Sequence, residues 1–223
     1  MGKGVFITGT DTGVGKSVLA ASICAALAES GETVAAFKPA VTCTDEPEGV
    51  WPPDHELLAE AASAGQAPGD VTPDLYGPPL SPHLAADLAG ETIEPPVLLE
   101  RARAAAARGL LVCEGVGGLL VPLTPGYLVR DLAVDLGLPV VVAARTGLGT
   151  INHTLLTVEA ARAAGLRVAG VVMTPWPARP EPIELSNLAT VTSLGGVQVN
   201  GLPRTTPELL AEAGAALPLA DWL

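Results

Sequence analysis

The segment Gly9 to Ser17, which reads GTDTGVGKS, is the feature that most restricts the fold of this chain. It follows the apolar run Val5 to Thr8 and precedes the Ala-rich stretch Ser17 to Ala28, an order that predicts a strand, a loop and a helix. Glycines let backbone N–H groups of such a loop turn toward phosphate oxygens, and the helix N-terminus adds partial positive charge. We therefore predict a phosphate-binding loop; the Gly-Lys-Ser ending argues against the alternative, a plain glycine-rich turn.

The loop also bears on the class of nucleotide-binding protein. Lys16 would neutralise charge on the β- and γ-phosphates of a nucleotide, and the Ser17 hydroxyl is an oxygen ligand suited to Mg²⁺. The standard pattern GxxxxGK[ST] has glycine where Thr10 stands, so this is a variant loop. Partition-type ATPases with such a variant carry a second lysine at the position of Asp11. Its absence counts against a nucleotide-dependent switch protein of that type, which is the alternative function.

Further apolar runs indicate the fold class. They lack the in/out alternation of a half-exposed strand and therefore favour a parallel sheet covered on both faces. These runs are Thr33–Phe37, Leu110–Cys113, Leu138–Ala144, Val168–Met173 and Val197–Val199. Helical patterns stand between them at Asp54–Ala64, Val97–Arg108, Leu128–Leu136 and Asn152–Ala164. The alternation predicts one doubly wound, mostly parallel α/β domain over residues 1–223, with P-loop NTPase-like architecture. Residues 42–53 are expected to form a mobile surface loop, and residues 175–182 a second irregular loop.

Composition excludes several classes of partner. Against 24 Asp and Glu the chain has 12 Lys and Arg, a formal net charge of −12 that disfavours nucleic-acid binding. No apolar run reaches the roughly 18 residues of a membrane helix, and the N-terminus has no signal-peptide pattern. Three cysteines without CxxC spacing argue against a disulfide framework or a cysteine zinc site. These features favour a cytoplasmic protein.

Lys38 stands where the second predicted strand ends, immediately before a proline. Ligands of open α/β sheets bind outside the carboxyl ends of the strands, so a lysine here could neutralise a transferring phosphoryl group. The alternative is a solvated loop lysine.

Two carboxylates complete a candidate Mg²⁺ site with Ser17. Glu114 ends a buried apolar strand, where a carboxylate is costly unless it is paired or bound to metal. Asp54 opens a helical pattern, so it is either a ligand of the ion, directly or through water, or only the N-cap of that helix. Ser17, Asp54 and Glu114 together supply the oxygen ligands that Mg²⁺ prefers.

The phosphate loop closely resembles that of the dethiobiotin synthetase family, whose members use ATP to close a ureido ring in biotin synthesis. Other stretches that match this family follow in the same order: Phe37–Pro39, Pro53–Leu57, Ser81–His83, Cys113–Gly118 and Gly149–His153. The resemblance covers residues 1 to about 175, and the chain length agrees with the family.

The resemblance implies a substrate and a reaction. One amine of 7,8-diaminopelargonic acid captures CO₂ as a carbamate, and a carbamate oxygen attacks the γ-phosphorus of ATP. The second amine then attacks the resulting carbamic-phosphoric anhydride and expels phosphate, giving dethiobiotin and ADP. The protein contributes positioning and charge neutralisation.

Functional residues carried over from the resemblance fall into four groups. Catalytic residues are Thr12, Lys16 and Lys38. Nucleotide-binding residues are Thr12, Gly13, Val14, Gly15, Lys16, Ser17 and Val116. Substrate-binding residues are Thr12, Lys38, Thr42, Gly117, Gly118, Gly149, Thr150, Ile151 and Asn152. The Mg²⁺ ligands are Ser17, Asp54 and Glu114.

The resemblance further implies a homodimer, in which the turn at Gly149–Asn152 binds the substrate carboxylate across the interface; otherwise Asn152 is a helix N-cap. Two positions depart from the family pattern. Cys43 stands where glycine is common, and an adenine-reading Asn is missing after the strand at Val168–Met173. ATP is therefore the expected nucleotide, but the sequence does not determine which base is preferred. Trp176 either stacks on a base or packs on the sheet edge.

Overall fold

The computed structural model describes residues 3–45 and 49–223, which form eight strands and ten α-helices. The strands are β1 (Gly4–Gly9), β2 (Val34–Phe37), β3 (Leu110–Glu114), β4 (Pro122–Thr124), β5 (Tyr127–Leu128), β6 (Val140–Ala144), β7 (Val168–Trp176) and β8 (Val199–Pro203). The helices are α1 (Lys16–Glu29), α2 (Asp54–Ala61), α3 (Pro68–Val71), α4 (Pro82–Ala89), α5 (Pro95–Ala106), α6 (Val129–Leu136), α7 (Thr150–Ala163), α8 (Pro182–Gly195), α9 (Leu210–Ala215) and α10 (Leu219–Trp222).

Six of these strands form one parallel sheet in the order β2-β3-β1-β6-β7-β8, while β4 and β5 form a separate antiparallel hairpin. Every residue of β1 and β6 is buried, and a hydrophobic cluster covers each face of the sheet. The uncharged, non-alternating runs require such two-sided burial. The predicted α/β class with a mostly parallel sheet is confirmed.

Strand register brings the carboxyl ends of the central strands to one edge. Ile7 of β1 pairs with Glu114 of β3, and Gly9 pairs with Ala143 of β6. On the outer side, Phe37 of β2 pairs with Cys113. The residues that follow these strands therefore share the edge at which ligands of open α/β sheets bind.

The edge strand β2 is fixed by side-chain and backbone hydrogen bonds as well as by its partner strand. The buried Gln66 amide accepts from Ala36 N at 2.8 Å and donates to Ala36 O at 2.9 Å, which replaces a missing neighbour strand. Directly after β2, Lys38 N donates to Val71 O at 2.9 Å. The backbone that carries Lys38 is thus held in place.

The carboxyl-terminal strands differ from the prediction. β7 continues through Pro175 to Trp176, so the segment 175–182 is not wholly irregular, and β8 covers Val199–Pro203 instead of Val197–Val199. The Trp176 ring lies directly on the Gly201 backbone and leaves no room for a side chain there. Gly201 therefore belongs inside a strand, although glycine in isolation indicates a turn.

The predicted surface loop at 42–53 is only partly described, since residues 46–48 lie outside the described residues. Its first part is tied down: Cys43 N donates to Pro78 O and Thr44 N to Tyr76 O, each at 3.2 Å. No helix in the described ranges is long and apolar enough to cross a membrane.

Candidate active site

The phosphate loop joins β1 to α1 in a conformation that needs its glycines. Gly13 and Gly15 have φ values of +68° and +86°, in the left-handed region that favours glycine. A Cβ on Gly15 would also lie 2.8 Å from Thr174 Cγ2, so the loop packs closely against β7. The backbone is already folded into a cradle that a side chain at Gly15 would disturb, which fits a phosphate-binding loop.

Lys16 is nearly buried at the start of α1, and its ammonium donates to Asp11 O across the loop at 2.9 Å. Burial lowers the pKa of Lys16 to about 8, although the Glu114 carboxylate opposes this effect, and the Lys38 ammonium adds a like charge. A bound phosphate would supply the countercharge that this ammonium lacks.

Behind the loop, Lys38 lies between two carboxylates. Its ammonium is 2.5 Å from Asp54 Oδ2 and 2.6 Å from Glu114 Oε1, and the residue is only 4% exposed. Ser17 donates its hydroxyl hydrogen to the same Glu114 Oε1 at 2.9 Å. The alternative of a solvated loop lysine is therefore wrong, because Lys38 is a buried member of an ion-paired cluster.

The pKa directions of the cluster follow from burial and charge. Burial would lower the pKa of Lys38, but Glu114 and Asp54 raise it above the ordinary lysine value. Burial would raise the pKa of Asp54, yet the Lys38 ammonium beside it holds it below the usual range. Burial raises the pKa of Glu114, and Lys38 only partly opposes this. A further cation would make the buried Glu114 anion less costly.

The donor set fits a hard divalent cation. Glu114 Oε2 is buried and has no hydrogen-bond partner among residues 3–45 and 49–223. Ser17, Asp54 and Glu114 offer one hydroxyl and two carboxylates, the oxygen ligands that Mg²⁺ takes alongside phosphate oxygens and water. Within the described ranges, no group of three or more His, Cys, Asp or Glu side chains is placed to hold a metal ion by itself.

Two helix-cap alternatives are wrong. Pro53 occupies the N-cap of α2, so Asp54 is the first helical residue and its carboxylate is turned to Lys38. Gly149, with φ +90°, occupies the N-cap of α7, which places Asn152 inside the first turn. Neither side chain is needed for a cap.

The segment after β3 returns to the phosphate loop. A Cβ on Gly117, whose φ is +61°, would lie 3.5 Å from Thr12 Oγ1. A Cβ on Gly118 would lie 3.5 Å from Gly9 O. Thr12 is exposed, whereas Val116 is half-buried and packs against the core. The predicted substrate residues Gly117 and Gly118 therefore lie beside the phosphate loop, with Gly117 next to Thr12.

Thr42 lies in the segment that is bonded to residues 76–78, and the polar contact described for its hydroxyl is with Cys43 Sγ at 3.8 Å. Cys43 has a φ of +69°, a left-handed conformation that glycine adopts without strain. This explains why glycine suits the position.

The turn before α7 is stiffened by its own side chains. The Thr150 hydroxyl is buried and donates to Arg145 O at 2.6 Å, while Ile151 is half-buried and Asn152 is exposed. Thr150 therefore contributes a structural hydrogen bond at this turn.

Sequence reasoning missed Arg145, which immediately follows β6 at the edge that holds the phosphate loop. Its guanidinium donates to Thr12 O at 3.0 Å and lies 3.6 Å from Asp11 Oδ2. The signal was available, since a basic residue directly after an uncharged strand is the same pattern that singled out Lys38.

A cavity of about 580 Å³ lies beyond the ends of β7 and β8. Trp176 covers Gly201 with its ring and also lines this cavity, so it does pack on the sheet edge. The neighbouring Thr174 touches the phosphate loop at Gly15, which brings the cavity close to the loop. The lining residues are Pro175, Trp176, Pro177, Ala178, Pro180, Pro203 and Arg204.

A parallel sheet with this loop after its first strand defines a P-loop nucleotide-binding protein. An AAA domain family model matches residues 3–208. A ParA family ATPase from Chlorobium tepidum shares the fold with a TM-score of 0.56 at 14% identity, over 98% of this chain and 92% of that one. The MinC:MinD cell division protein complex of Aquifex aeolicus gives 0.55 at 14% identity, over 97% and 87%.

Closer relatives identify the family. The ATP-dependent dethiobiotin synthetase BioD of Anaeromyxobacter dehalogenans strain 2CP-C is 40% identical over 214 residues, which are 96% of this chain and 95% of that protein. The enzyme of the same name from Bacillus licheniformis is 37% identical over 210 residues, covering 93% and 86%. The chain belongs to the dethiobiotin synthetase family.

Proposed function

We propose that this protein is an ATP-dependent dethiobiotin synthetase that forms dethiobiotin from 7,8-diaminopelargonic acid, CO₂ and ATP. The observation that carries the proposal is the cluster in which Lys38 contacts both Asp54 and Glu114 directly behind a phosphate loop. It occurs in a chain that is 37–40% identical to enzymes of that name over nearly its whole length.

The reaction proceeds in three bond-forming steps. One amine attacks CO₂ and loses a proton to give a carbamate. A carbamate oxygen then attacks the γ-phosphorus of ATP, and ADP leaves. The second amine attacks the carbonyl carbon of the carbamic-phosphoric anhydride, a proton is lost, and phosphate departs as the ring closes. Each step gathers or moves negative charge, which fixed cations can stabilise.

Lys16 and Lys38 are the cations proposed for this task. Lys16 leaves Asp11 O to meet the β- and γ-phosphates, where its buried ammonium is more strongly attracted than in water. Lys38 neutralises the carbamate and the transferring phosphoryl group. The contacts of Lys38 with the buried Glu114 carboxylate and the half-buried Asp54 carboxylate support this role, because they keep its side chain protonated and directed into the site.

Ser17, Asp54 and Glu114 are the residues that would hold Mg²⁺, with Asp54 acting directly or through water. The ion would offset phosphate charge when it is bound. The unpartnered Glu114 Oε2 and the hydroxyl and carboxylate donors support this assignment.

Thr12, Gly117 and Gly118 are proposed to contact the diamine and its carbamate, and Thr42 to bind substrate from the opposite side. In a homodimer, residues Gly149–Asn152 of one subunit bind the substrate carboxylate in the other; the exposure of Gly149 and Asn152 at the start of α7 supports this arrangement. Val116 and residues 12–17 bind the nucleotide, whose base would enter the cavity beside Trp176.

Residues 1–223 form a single P-loop α/β domain that acts on small molecules in the cytoplasm and binds neither nucleic acid nor membrane. The net charge of −12 supports the absence of a nucleic-acid partner.

The test is to supply 7,8-diaminopelargonic acid, bicarbonate, Mg²⁺ and ATP, and to quantify dethiobiotin and phosphate together. We expect phosphate release that requires the diamine and equals the dethiobiotin formed. Phosphate release that ignores the diamine would instead favour the partition-type ATPase. Lys16→Ala is the control, because it should lose both products.

A further inference from the structure

Arg145 connects two parts of the active site that the sequence separates. It lies at the end of β6, and its Nη2 donates to Thr12 O in the phosphate loop at 3.0 Å. The Asp11 carboxylate lies 3.6 Å from the same nitrogen. The guanidinium is therefore bound to the backbone of Thr12, and the Thr12 side chain faces Gly117.

The backbone that carries Arg145 is held from two helices. Thr150 of α7, which is buried, donates its hydroxyl hydrogen to Arg145 O at 2.6 Å. The Asn187 amide of α8 donates to Thr146 O at 2.8 Å and to Gly147 O at 3.2 Å. These bonds make the base of the Arg145 side chain a fixed point.

The loop segment that Arg145 contacts, Asp11–Thr12, is held by few other hydrogen bonds. Asp11 O accepts from Lys16 Nζ, and Thr12 N donates to the neighbouring Asp11 carboxylate at 2.7 Å. When a bound phosphate draws the Lys16 ammonium away, the hydrogen bond from Lys16 Nζ to Asp11 O is lost and Lys16 binds the phosphate instead. The Arg145 bond to Thr12 O then becomes the long-range tether of this segment.

We propose that Arg145 is a positioning residue that holds Thr12 against Gly117 while the nucleotide occupies the loop. The inference rests on the proposed function, in which Thr12 contacts the diamine and its carbamate. Arg145 acts through Thr12, so its loss should weaken use of the diamine much more than use of ATP. A guanidinium suits this task because it is always charged and donates in a fixed direction.

The experiment compares Arg145→Gln, Arg145→Lys and the wild-type protein in the dethiobiotin assay. We expect Arg145→Gln to lower kcat/KM for the diamine about tenfold, the loss of one charge-assisted hydrogen bond, and to change KM for ATP less than about twofold. Arg145→Lys should recover part of the loss. Because the Arg145 side chain is 59% exposed, the urea midpoint should not change.

Arg101→Gln is the matched control, since Arg101 is also exposed and also faces an aspartate, Asp74 at 3.4 Å, but in a different part of the fold. It should behave as wild type. The inference is overturned if Arg145→Gln retains the diamine kcat/KM, if it loses ATP and diamine use equally, or if it unfolds. A wild-type protein that makes no dethiobiotin would overturn the proposed function itself, so the two failures are distinguishable.

Discussion

The Lys38 ammonium lies 2.6 Å from Glu114 Oε1 in a site where both residues are almost fully buried. Two chain segments 76 residues apart meet here because β2 and β3 are neighbours with Phe37 opposite Cys113. Burial of this charge pair costs hydration free energy. The contacts of Lys38 with Asp54 and of Glu114 with Ser17 offset part of that cost. The side chains of the site are thus held by contacts with one another.

Removal of Lys38 should affect stability as well as activity. Lys38→Met leaves Asp54 and Glu114 as unpaired acids, so we expect a loss of about 3–5 kcal/mol in the free energy of unfolding. Urea denaturation measures this loss, and Mg²⁺ should restore part of it. The double variant Lys38→Met/Glu114→Gln should lose less than Lys38→Met alone. Wild-type stability in Lys38→Met would contradict the account of the buried cluster.

Glu114→Gln tests the metal site. The amide retains the shape of the side chain but removes its charge, so we expect dethiobiotin formation to fall at least about 100-fold. Binding of Mn²⁺ in the presence of nucleotide, followed by electron paramagnetic resonance, should weaken in parallel. Glu100→Gln changes an exposed acid on α5 and serves as the control. Unchanged Mn²⁺ binding in Glu114→Gln would remove Glu114 from the ligand set.

Nucleotide binding should depend on pH through Lys16. The pKa of Lys16 is about 8 in the folded protein against 10.5 ordinarily, so the free site loses its ammonium as pH rises through 8. Affinity for ATP should therefore fall above pH 8, with proton uptake on binding, because phosphate favours the charged form. The unfolded chain keeps this proton up to about pH 10.5, so the Lys16 contribution makes stability rise with pH across that window.

Calorimetric titration in two buffers of different ionisation enthalpy measures the uptake of protons. Lys16→Arg should bind ATP more weakly and without this proton uptake, since arginine does not titrate in the range. An ATP affinity that stays constant from pH 7 to 9.5 would contradict the depressed pKa.

Replacement of Cys43 by glycine should stabilise the protein. Cys43 has a φ of +69°, which strains a residue that carries a Cβ. We expect Cys43→Gly to raise the free energy of unfolding by about 0.5–1 kcal/mol in urea denaturation, after the entropy cost of glycine is deducted. Cys43→Ser keeps the Cβ and should show no gain. A less stable Cys43→Gly protein would mean that packing of the thiol outweighs the backbone strain.

Gly117 should tolerate no side chain because of crowding as well as strain. A Cβ there would lie 2.9 Å from Val121 Cγ2 and 3.5 Å from Thr12 Oγ1. We expect Gly117→Ala to raise KM for the diamine at least about tenfold. Gly126, with φ +85° and no heavy atom within 4 Å of an added Cβ, provides the control. Gly126→Ala carries the strain without the crowding, and an equal effect of the two variants on KM would rule out the proposed contact.

The sequence predicted the central sheet because its strands are buried on both faces and leave long uncharged runs. It did not predict α8, in which Thr190, Val191 and Thr192 are β-branched and a glycine pair follows. These residues have weak helix propensity, and tertiary packing of Val191 in the core outweighs it. Propensity alone could not reveal that contact.

The sequence predicted Ser17, Asp54 and Glu114 as one metal site, but it did not predict that Lys38 contacts Asp54 and Glu114. Lys38, Asp54 and Glu114 each stood at the end of a strand or the start of a helix, which indicated function. Their mutual contacts depend on strand order, which a single sequence does not specify. Arg145 was missed for the same reason, since its contact with Thr12 requires β6 to lie beside β1.

The most direct test of the central claim follows the carbon of bicarbonate. With ¹³C-bicarbonate, 7,8-diaminopelargonic acid, Mg²⁺ and ATP, the account predicts ¹³C in the ureido carbonyl of dethiobiotin and one phosphate released for each labelled molecule. Lys38→Met should abolish label and phosphate together. Phosphate release by the wild-type protein without labelled product would contradict the account.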